Sequence, residues 1–525
     1  MDLEKFVIEL AKKQPITKRV LEQEKRFLFK GQGESKFLQS SALLVVYKKL
    51  LESRAIKRNK SLEVALRLKH IRSLSGVSVV TVLTKPWPCP GECVYCPTEP
   101  NMPKSYLASE PAAQRALQNK FDPYKQVISR LTQYKNTGHP TDKIELIILG
   151  GSFNAYLKGY QEWFVSECFR ATNEFVGAAP CGRPKATGPI ESHQKVNETA
   201  KNRIVFLSVE TRPDLITKEE ALWLRTLGVT KVELGVQSLD NEVLKLCNRG
   251  HAVAETAKAT KILKNLGFKV CYHIMPNLPG ATPAKDLAGF KKLFSDSRFQ
   301  PDMLKIYPCV VLPGTKLEEW HQQGKFQPYS TEELIELLVA MKKAIPPYVR
   351  LNRLIRDIPE FEIVAGNKVT SLRQVVQKCL CDAGFSCRCI RCREIRGRTT
   401  GKLVFEKIAY PSSAGKEIFL QWVDEKDRLY GLLRLLLPRT PAAPFLKNCA
   451  LVRELHIFGQ EVKISGSSKT AIQHKGLGKK LLKEAEKIAK GEGYKKLAVI
   501  SGVGVREYYR KLGYNLQDTY MVKYF

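Results

Sequence analysis

From Gly76 onward, short runs of β-branched and apolar residues alternate with longer amphipathic stretches, and no other feature of the chain constrains its fold as much. The runs are GVSVVTVL, KIELIILGG, RIVFLSVE, TKVELGVQ, FKVCYHIM and PDMLKIYP. Between them lie segments such as KEEALWLRTLG and AETAKATKILKNLG, whose apolar residues recur at helical spacing. A strand that rejoins its sheet through a helix runs parallel to the one before it, so six such strands predict consecutive βαβ units. Polar and glycine residues stand at several strand ends, which favours a partial TIM-like barrel over an open doubly wound sheet. The stretch from Gly177 to Lys201, with Pro, Gly, Lys and Asn but few apolar residues, reads as a mobile insertion.

A chain of 525 residues exceeds one hydrophobic core, and the flanks of the barrel have patterns of their own. Residues 1–72 hold 18 Lys/Arg against 8 Asp/Glu, with helical spacing in FVIELAKK and ALLVVYKKLLES, and read as a basic helical module. The barrel is assigned to 73–378 and a Cys- and Arg-rich connector to 379–402. Residues 403–525 form a second α/β domain: antiparallel-style runs (KLVFEKIAYP, KEIFLQWVD, RLYGLLRLLLP, ALVRELHIFG), a helix from His474 and a closing strand-helix-strand. The formal charge of +34 exceeds what solubility needs and points to a polyanion, most economically nucleic acid. Fourteen cysteines read as metal ligands and reduced thiols rather than a disulfide framework. With no signal-peptide pattern over Met1–Leu10 and no apolar run long enough to span a bilayer, a cytoplasmic protein without a membrane partner is expected.

Cys89, Cys93 and Cys96, in PCPGECVYCP, stand at C-x3-C-x2-C spacing. Three thiolates can hold three irons of a 4Fe-4S cube and leave the fourth open to S-adenosylmethionine (SAM). A zinc knuckle would close with a fourth Cys or His at short range, and none occurs before Glu110. The spacing resembles the signature of radical-SAM enzymes. Gly150 and Gly151, in LGGSF, let a ligand approach the end of their strand. In that family a Gly-Gly-acidic turn holds the methionine amine, and Ser152 here replaces the acidic residue. Glu210 and Arg212, in SVETRPD, could accept from a ribose hydroxyl and pair with the methionine carboxylate. Gln237 and His273 stand at two further strand ends.

Gln473, His474, Lys475, Gly476, Leu477 and Gly478 open the amphipathic stretch GKKLLKEAEKIAK, and glycines at such a turn expose backbone N–H groups to a pyrophosphate. With KLAVISGVGVREYYRKLGY after it, the segment resembles the Q-x-x-G-x-G motif and C-terminal half of a GNAT acetyltransferase, so acetyl-CoA is the expected ligand. Tyr508 and Tyr509 could reach its thioester. Cys387, Cys389 and Cys392, in SCRCIRCRE, suit tetrahedral zinc better than a second redox cluster. A fourth ligand is needed, with Cys379 and Cys381 as nearby candidates.

A radical-SAM barrel joined to a GNAT domain resembles the catalytic-subunit family of Elongator, in its single-chain archaeal and bacterial form. The likeness runs from about Leu68 to Phe525, through RSLSGVSVVTVLTKPWPCPGECVYCP, ETRPDLITKEEALWLRTLGVTKVELGVQS, HIMPNLPG, CRCIRCRE, LVRELHIFGQ, QHKGLGKKLL and VISGVGVREYYRKLGY. The resemblance implies a tRNA wobble-uridine acetyltransferase. A 5'-deoxyadenosyl radical would take hydrogen from the acetyl methyl of acetyl-CoA, the carbon radical would add to C5 of uridine, and thioester hydrolysis would leave a carboxymethyl group. It implies the anticodon stem-loop as partner and Cys309 as fourth zinc ligand. A homodimer is left open and no further subunit is required. Lys57, Arg58, Lys60, Lys69 and Arg72, with Arg388, Arg391, Arg393, Arg396 and Arg398, are candidates for tracking phosphates. The alternative is a protein lysine acetyltransferase with a structural iron-sulfur domain, and a third reading is a non-catalytic tRNA scaffold.

Overall fold

The computed structural model describes residues 3–28, 40–66, 76–175, 188–396, 401–459 and 476–525. Seven parallel strands pair in sequence order: β1 (Val77–Leu83), β2 (Lys143–Leu149), β3 (Arg203–Thr211), β4 (Lys231–Gln237), β5 (Lys269–Ile274), β6 (Met303–Ile306) and β7 (Arg350–Arg353). This is the expected partial barrel with one strand more than the pattern predicts. RLNR carries a single apolar residue, so β7 has no periodic signal and is specified by its pairing with β6, Met303 opposite Arg350. Alternate residues face opposite sides of a strand. On the outer side Val80, Val82, Leu146 and Ile148 pack with Val127, Leu131, Phe164 and Phe169 of the helices Pro123–Asn136 and Lys158–Glu174. On the inner side Glu145, Lys231, Glu233, Lys269, His273, Lys305 and Arg350 line a cavity instead of a packed core.

Part of the expected mobile insertion is ordered. Residues Ile190–Asn197 form a helix with His193 and Asn197 buried, and Asn197 Nδ2 donates to Asn173 Oδ1 (2.6 Å) and Thr172 Oγ1 (3.1 Å). Buried amides, rather than an apolar stripe, hold this helix, which is why hydrophobic periodicity misses it. Residues 176–187 lie outside the described residues.

The C-terminal sheet has the order β13-β14-β12-β11-β10-β9-β8, with β8 Leu403–Ser412, β9 Gly415–Asp424, β10 Leu429–Pro438, β11 Cys449–Ile457, β12 Lys496–Val499, β13 Asn515–Gln517 and β14 Tyr520–Tyr524. All its pairings are antiparallel except β11 with β12, which covers only Cys449–Val452, so that among the described strands Glu454–Ile457 pair with β10 alone. The helix Leu477–Gly491 lays Leu481, Leu482, Ala485 and Ala489 on this sheet. At the N-terminus α1 (Leu3–Lys12), α2 (Lys18–Leu28), α3 (Ser40–Glu52) and α4 (Lys60–Leu66) enclose a small core of Val7, Leu10, Leu43, Tyr47 and Leu62. No helix among the described residues is long and apolar enough to cross a membrane.

Sheet meets barrel through buried ions. A β-bulge opposite Arg434 makes Arg453 the extra residue of β11, so Arg453 and Glu454 both face the barrel although they are consecutive. Arg453 bonds Asp302 through Nη1–Oδ1 (3.0 Å) and Nη2–Oδ2 (2.5 Å) and reaches Glu417 at 2.6 Å. Arg434 pairs with Asp302 (3.4 Å) and Glu454 (2.9 Å), Lys264 with Glu417 (3.0 Å), and Lys269 with Glu454 (3.2 Å). Burial alone would raise the Asp302 carboxyl, but Arg453, Arg434 and Lys264 hold it well below the carboxylate range. Likewise, Lys269 and Arg434 overcome burial to hold Glu454 at about 2.

Asp302→Ala leaves two guanidinium groups buried with too few anions, and should cost about 3–5 kcal/mol in urea unfolding at neutral pH. Because the Asp302 pKa is depressed, its contribution is full above the unfolded value near ~3.9 and is lost as pH falls through the folded value. The gap between wild type and variant should therefore narrow only in acid. A cost below about 1 kcal/mol would place the anchor elsewhere.

Candidate active site

The loop after β1 carries Cys89, Cys93 and Cys96 to the rim of the inner cavity, whose volume is about 1250 Å³. A Cβ at Gly91 would lie 1.9 Å from Arg212 Nη1 and 3.8 Å from Cys93 Sγ, so only glycine lets guanidinium and loop approach this closely. Burial, then the neighbouring Cys93, push the Cys96 thiol up to about 12. The protein alone keeps that thiol protonated, and a metal must displace the proton to bind.

The strand ends bring the predicted barrel residues to one rim. Gly150 and Gly151 have φ of +128° and +94°, and a Cβ at Gly150 would lie 1.9 Å from Thr84 Oγ1. Glu210, Gln237, Gly151 and Ser152 line the cavity. Glu210 is held from two sides, by Tyr106 Oη (2.6 Å) and His273 Nδ1 (3.0 Å), while His273 Nε2 meets Glu233 (2.9 Å). Lys231 and Lys305 pair with Glu233 in turn. Burial works against ionisation of Glu210 and Glu233, yet Lys305 and His273 hold both below the ordinary value. Glu233, Cys271 and His273 offer ligand atoms within 4.8 Å of one another, but the two ammonium groups on Glu233 make this an ion network and not a cation site. Arg212 is buried and committed to Asp214 (Nε–Oδ1 3.0 Å, Nη2–Oδ2 3.0 Å). Its Nη1 has no partner among the described residues, and neither do Thr211 Oγ1, Gln237 Oε1 and Arg249 Nε.

The cavity continues to the other domain, where Glu454, His456, Phe458 and Gly459 line it. Ile457, between two of these, faces the opposite side and lies 3.5 Å from where a Gly478 Cβ would stand. Gly476 (φ +72°) caps the helix Leu477–Gly491, and Leu477 and Gly478 are buried in its first turn. Tyr508, 38% exposed, places Oη 3.1 Å from the same Gly478 position. Tyr509 points the other way, into the domain core with Tyr514. Gln473, His474 and Lys475 lie outside the described residues.

Cys387, Cys389 and Cys392 bring their sulfurs within 4.8 Å of one another, the spacing of ligands around one ion. Cys309 does not join them, which corrects the expectation drawn from resemblance: it is buried beneath the Cys89 loop with Cys247, Val94 and Leu317. Cys379 and Cys381 are also outside that trio. The connector arginines divide. Arg393 is buried and spent on Asp427 (2.6 Å), Gln421 (2.8 Å) and Pro347 O (2.9 Å), so it does not track phosphate; Arg388 is exposed and paired with Asp427. Arg391 and Arg396 line the cavity. Lys57, Arg58 and Lys60 are exposed, with Arg58 paired to Glu63 (2.9 Å). Lys69, Arg72 and Arg398 lie outside the described residues.

Residues 89–290 match the radical SAM superfamily, 301–381 the Radical_SAM C-terminal domain and 467–514 the acetyltransferase (GNAT) family. A tRNA uridine(34) acetyltransferase of Dehalococcoides mccartyi (strain CBDB1) is 46% identical over 467 residues, 87% of this chain and 99% of that protein. The chain belongs to the tRNA uridine(34) acetyltransferase family. Another such acetyltransferase, from Methanocaldococcus infernus, is 47% identical over 481 residues, 87% of each chain, and human Elongator complex protein 3 is 36% identical over 479 residues, 87% of this chain and 86% of that protein. The solved structure of archaeal M. infernus Elp3 with residues 1–46 deleted has a TM-score of 0.75 at 42% identity, covering 86% of this chain and all of that one.

A radical SAM barrel implies a 4Fe-4S cluster and SAM, and a GNAT domain implies acetyl-CoA. The donors fit. Three cysteines face the cavity rim, and near it Thr211 Oγ1, Arg212 Nη1, Gln237 Oε1 and Arg249 Nε are buried with no partner among the described residues. The acetyltransferase-family site also contains residues that motif reading passed over: Tyr106, Glu233, Arg249, Lys305 and His456. Each gains its role from partners distant in sequence, so no local pattern marks it.

Gly150→Ala must adopt a positive φ and displace Thr84, a strain of about 1–3 kcal/mol. The folded variant should bind SAM at least ~10-fold more weakly, about 1.4 kcal/mol, with acetyl-CoA binding unchanged. Full SAM affinity by calorimetry would remove this turn from the site.

Proposed function

We propose that the chain is a tRNA wobble-uridine acetyltransferase that attaches a carboxymethyl group to C5 of uridine in the anticodon loop. One observation carries the reading. A single cavity is bordered by Cys89, Cys93 and Cys96 at one end and by His456 and Phe458 at the other, while the next side chain of that strand, Ile457, touches the Gly478 turn. Bound, the cluster and SAM supply a 5'-deoxyadenosyl radical, and acetyl-CoA supplies the two-carbon unit. In this reading Glu210, braced by Tyr106 and His273, accepts from a ribose hydroxyl, and Arg212 Nη1, which has no partner among the described residues, meets a carboxylate. In the same reading backbone N–H groups at Gly476–Gly478 bind the pyrophosphate and Tyr508 Oη, 3.1 Å from the Gly478 Cβ position, serves the thioester end. A lysine acetyltransferase would leave the barrel cavity and its polar lining without a task, so that alternative gains nothing here.

Anaerobic reaction of reconstituted protein with SAM, acetyl-CoA and tRNA, read by nucleoside mass spectrometry, should yield 5-carboxymethyluridine at the wobble position. Replacing Cys89, Cys93 and Cys96 by Ala should abolish it while most tRNA affinity persists. Product formed by the triple variant would refute the reading.

The +34 charge and the exposed Lys57, Arg58 and Lys60 support tRNA contact through the N-terminal module. Neutralising all three should weaken tRNA binding and reduce the slope of log affinity against log salt by about 2–3, since each phosphate contact contributes roughly 0.7–0.9. An unchanged slope would move the footprint to the connector.

For Cys387, Cys389 and Cys392 we infer zinc, supported by their mutual spacing. Elemental analysis should find about one zinc per chain apart from iron. Fully active protein without zinc would leave three plain thiols.

A further inference from the structure

The turn that ends the helix Asn241–Leu246 grips the cysteine loop at three points. Val94 N donates to Cys247 O at 3.1 Å, Asn248 Nδ2 to Glu92 O at 3.1 Å, and Arg249 Nη1 to Cys93 Sγ at 3.5 Å. The first two bonds hold backbone; the third reaches the sulfur itself. Arg249 is 6% exposed and anchored on its far side, where Nη2 donates to Gly235 O at 2.6 Å beside the irregularity in β4. A Cβ at Gly235 would lie 2.7 Å from that nitrogen, so glycine is what allows the guanidinium to sit between strand and loop. Its neighbour Arg212 gives its donors to a carboxylate, whereas Arg249 gives its own to a carbonyl and a sulfur. The result is a fixed cation with an N–H aimed at Cys93.

We propose that Arg249 is a positioning residue that raises the reduction potential of the cluster held by Cys89, Cys93 and Cys96. A 4Fe-4S cluster passing from the 2+ to the 1+ state gains one electron, with no bond made or broken, and so gains one negative charge. A buried cation and a hydrogen bond to a ligand sulfur stabilise the more negative state more, which makes reduction easier. On its other side the loop packs in an apolar cluster with Val243, Leu278 and Leu317, and the low polarity there strengthens the effect. Asn248 grips the same loop without charge and without touching sulfur, so it separates tuning from clamping.

The inference rests on the cluster reading, so iron is counted first. Full-length wild type, R249Q, R249K and N248A are reconstituted anaerobically and titrated electrochemically, with the reduced cluster read by electron paramagnetic resonance. R249Q should retain its iron and, at a fixed potential, lower the ratio of reduced to oxidised cluster by about 10-fold, equivalent to about 59 mV for one electron. R249K should fall between R249Q and wild type, and N248A should match wild type. An iron-loaded R249Q at the wild-type midpoint overturns the proposal. So does an N248A shift as large as that of R249Q, or loss of iron from both arginine variants, because Arg249 would then be a clamp only. Wild type that takes up no iron sinks the cluster reading, and this inference with it.

Discussion

Asp302 stands immediately before β6, and its carboxylate is where the two sheets are joined. It accepts Val270 N from the barrel at 2.8 Å and both terminal nitrogens of Arg453 from the acetyltransferase domain. A buried ion pair is a poor source of net stability, because desolvation offsets most of the attraction, but it is intolerant of misplacement. Here the intolerance sets the register between domains. The bulge that turns Arg453 toward the barrel also shifts the phase of β11, so that Glu454, His456 and Phe458 face the cavity in place of the residues strict alternation would choose. Close backbone contact supports the same docking: a Cβ at Gly502 would lie 2.0 Å from Val205 O on β3. The cavity has walls from both domains because this joint permits no sliding.

Inside the barrel the charges do what apolar layers do in most barrels. Glu145, Lys231, Glu233, Lys305, His273, Glu210 and Tyr106 form a connected series across β2 to β6 and the loop after β1. Such a lining cannot collapse on itself, since every buried charge needs its partner at hydrogen-bond distance. It therefore keeps the bore open and presents Glu210 in one orientation. The same network explains why a Glu, a Cys and a His lie close together without forming a metal site.

Local patterns carried much of the architecture. β-branched runs located six of the seven barrel strands, and the three cysteines and the Gly150 turn located the rim, because each is written within a few consecutive residues. Non-local pairings were not legible. RLNR is a strand only because β6 lies beside it; Arg393 is structural only because Asp427, 34 residues later, meets it; Arg249 reaches Cys93 from 156 residues away. Spacing also misled where chemistry was equal: Tyr508 and Tyr509 are chemically alike, yet one helical step sends the first to Gly478 and the second into the core. Cys309 was assigned by resemblance to a set that its strand end never approaches.

The two halves of the proposed reaction meet at a single strand. Along β11 beyond the bulge, even-numbered residues face the barrel cavity and odd-numbered ones face the helix that starts at Leu477. A group held at the Gly476–Gly478 turn is thus separated from the cavity by the thickness of one strand. From Arg453 to Ile457 that strand has no hydrogen bonds to β12, because their pairing ends at Val452 and Val499. A fully paired sheet would interpose a continuous ladder of backbone bonds between acyl donor and radical site. Here the pairing stops at Val452, and the ion pairs of Asp302 hold the strand beyond it against the barrel.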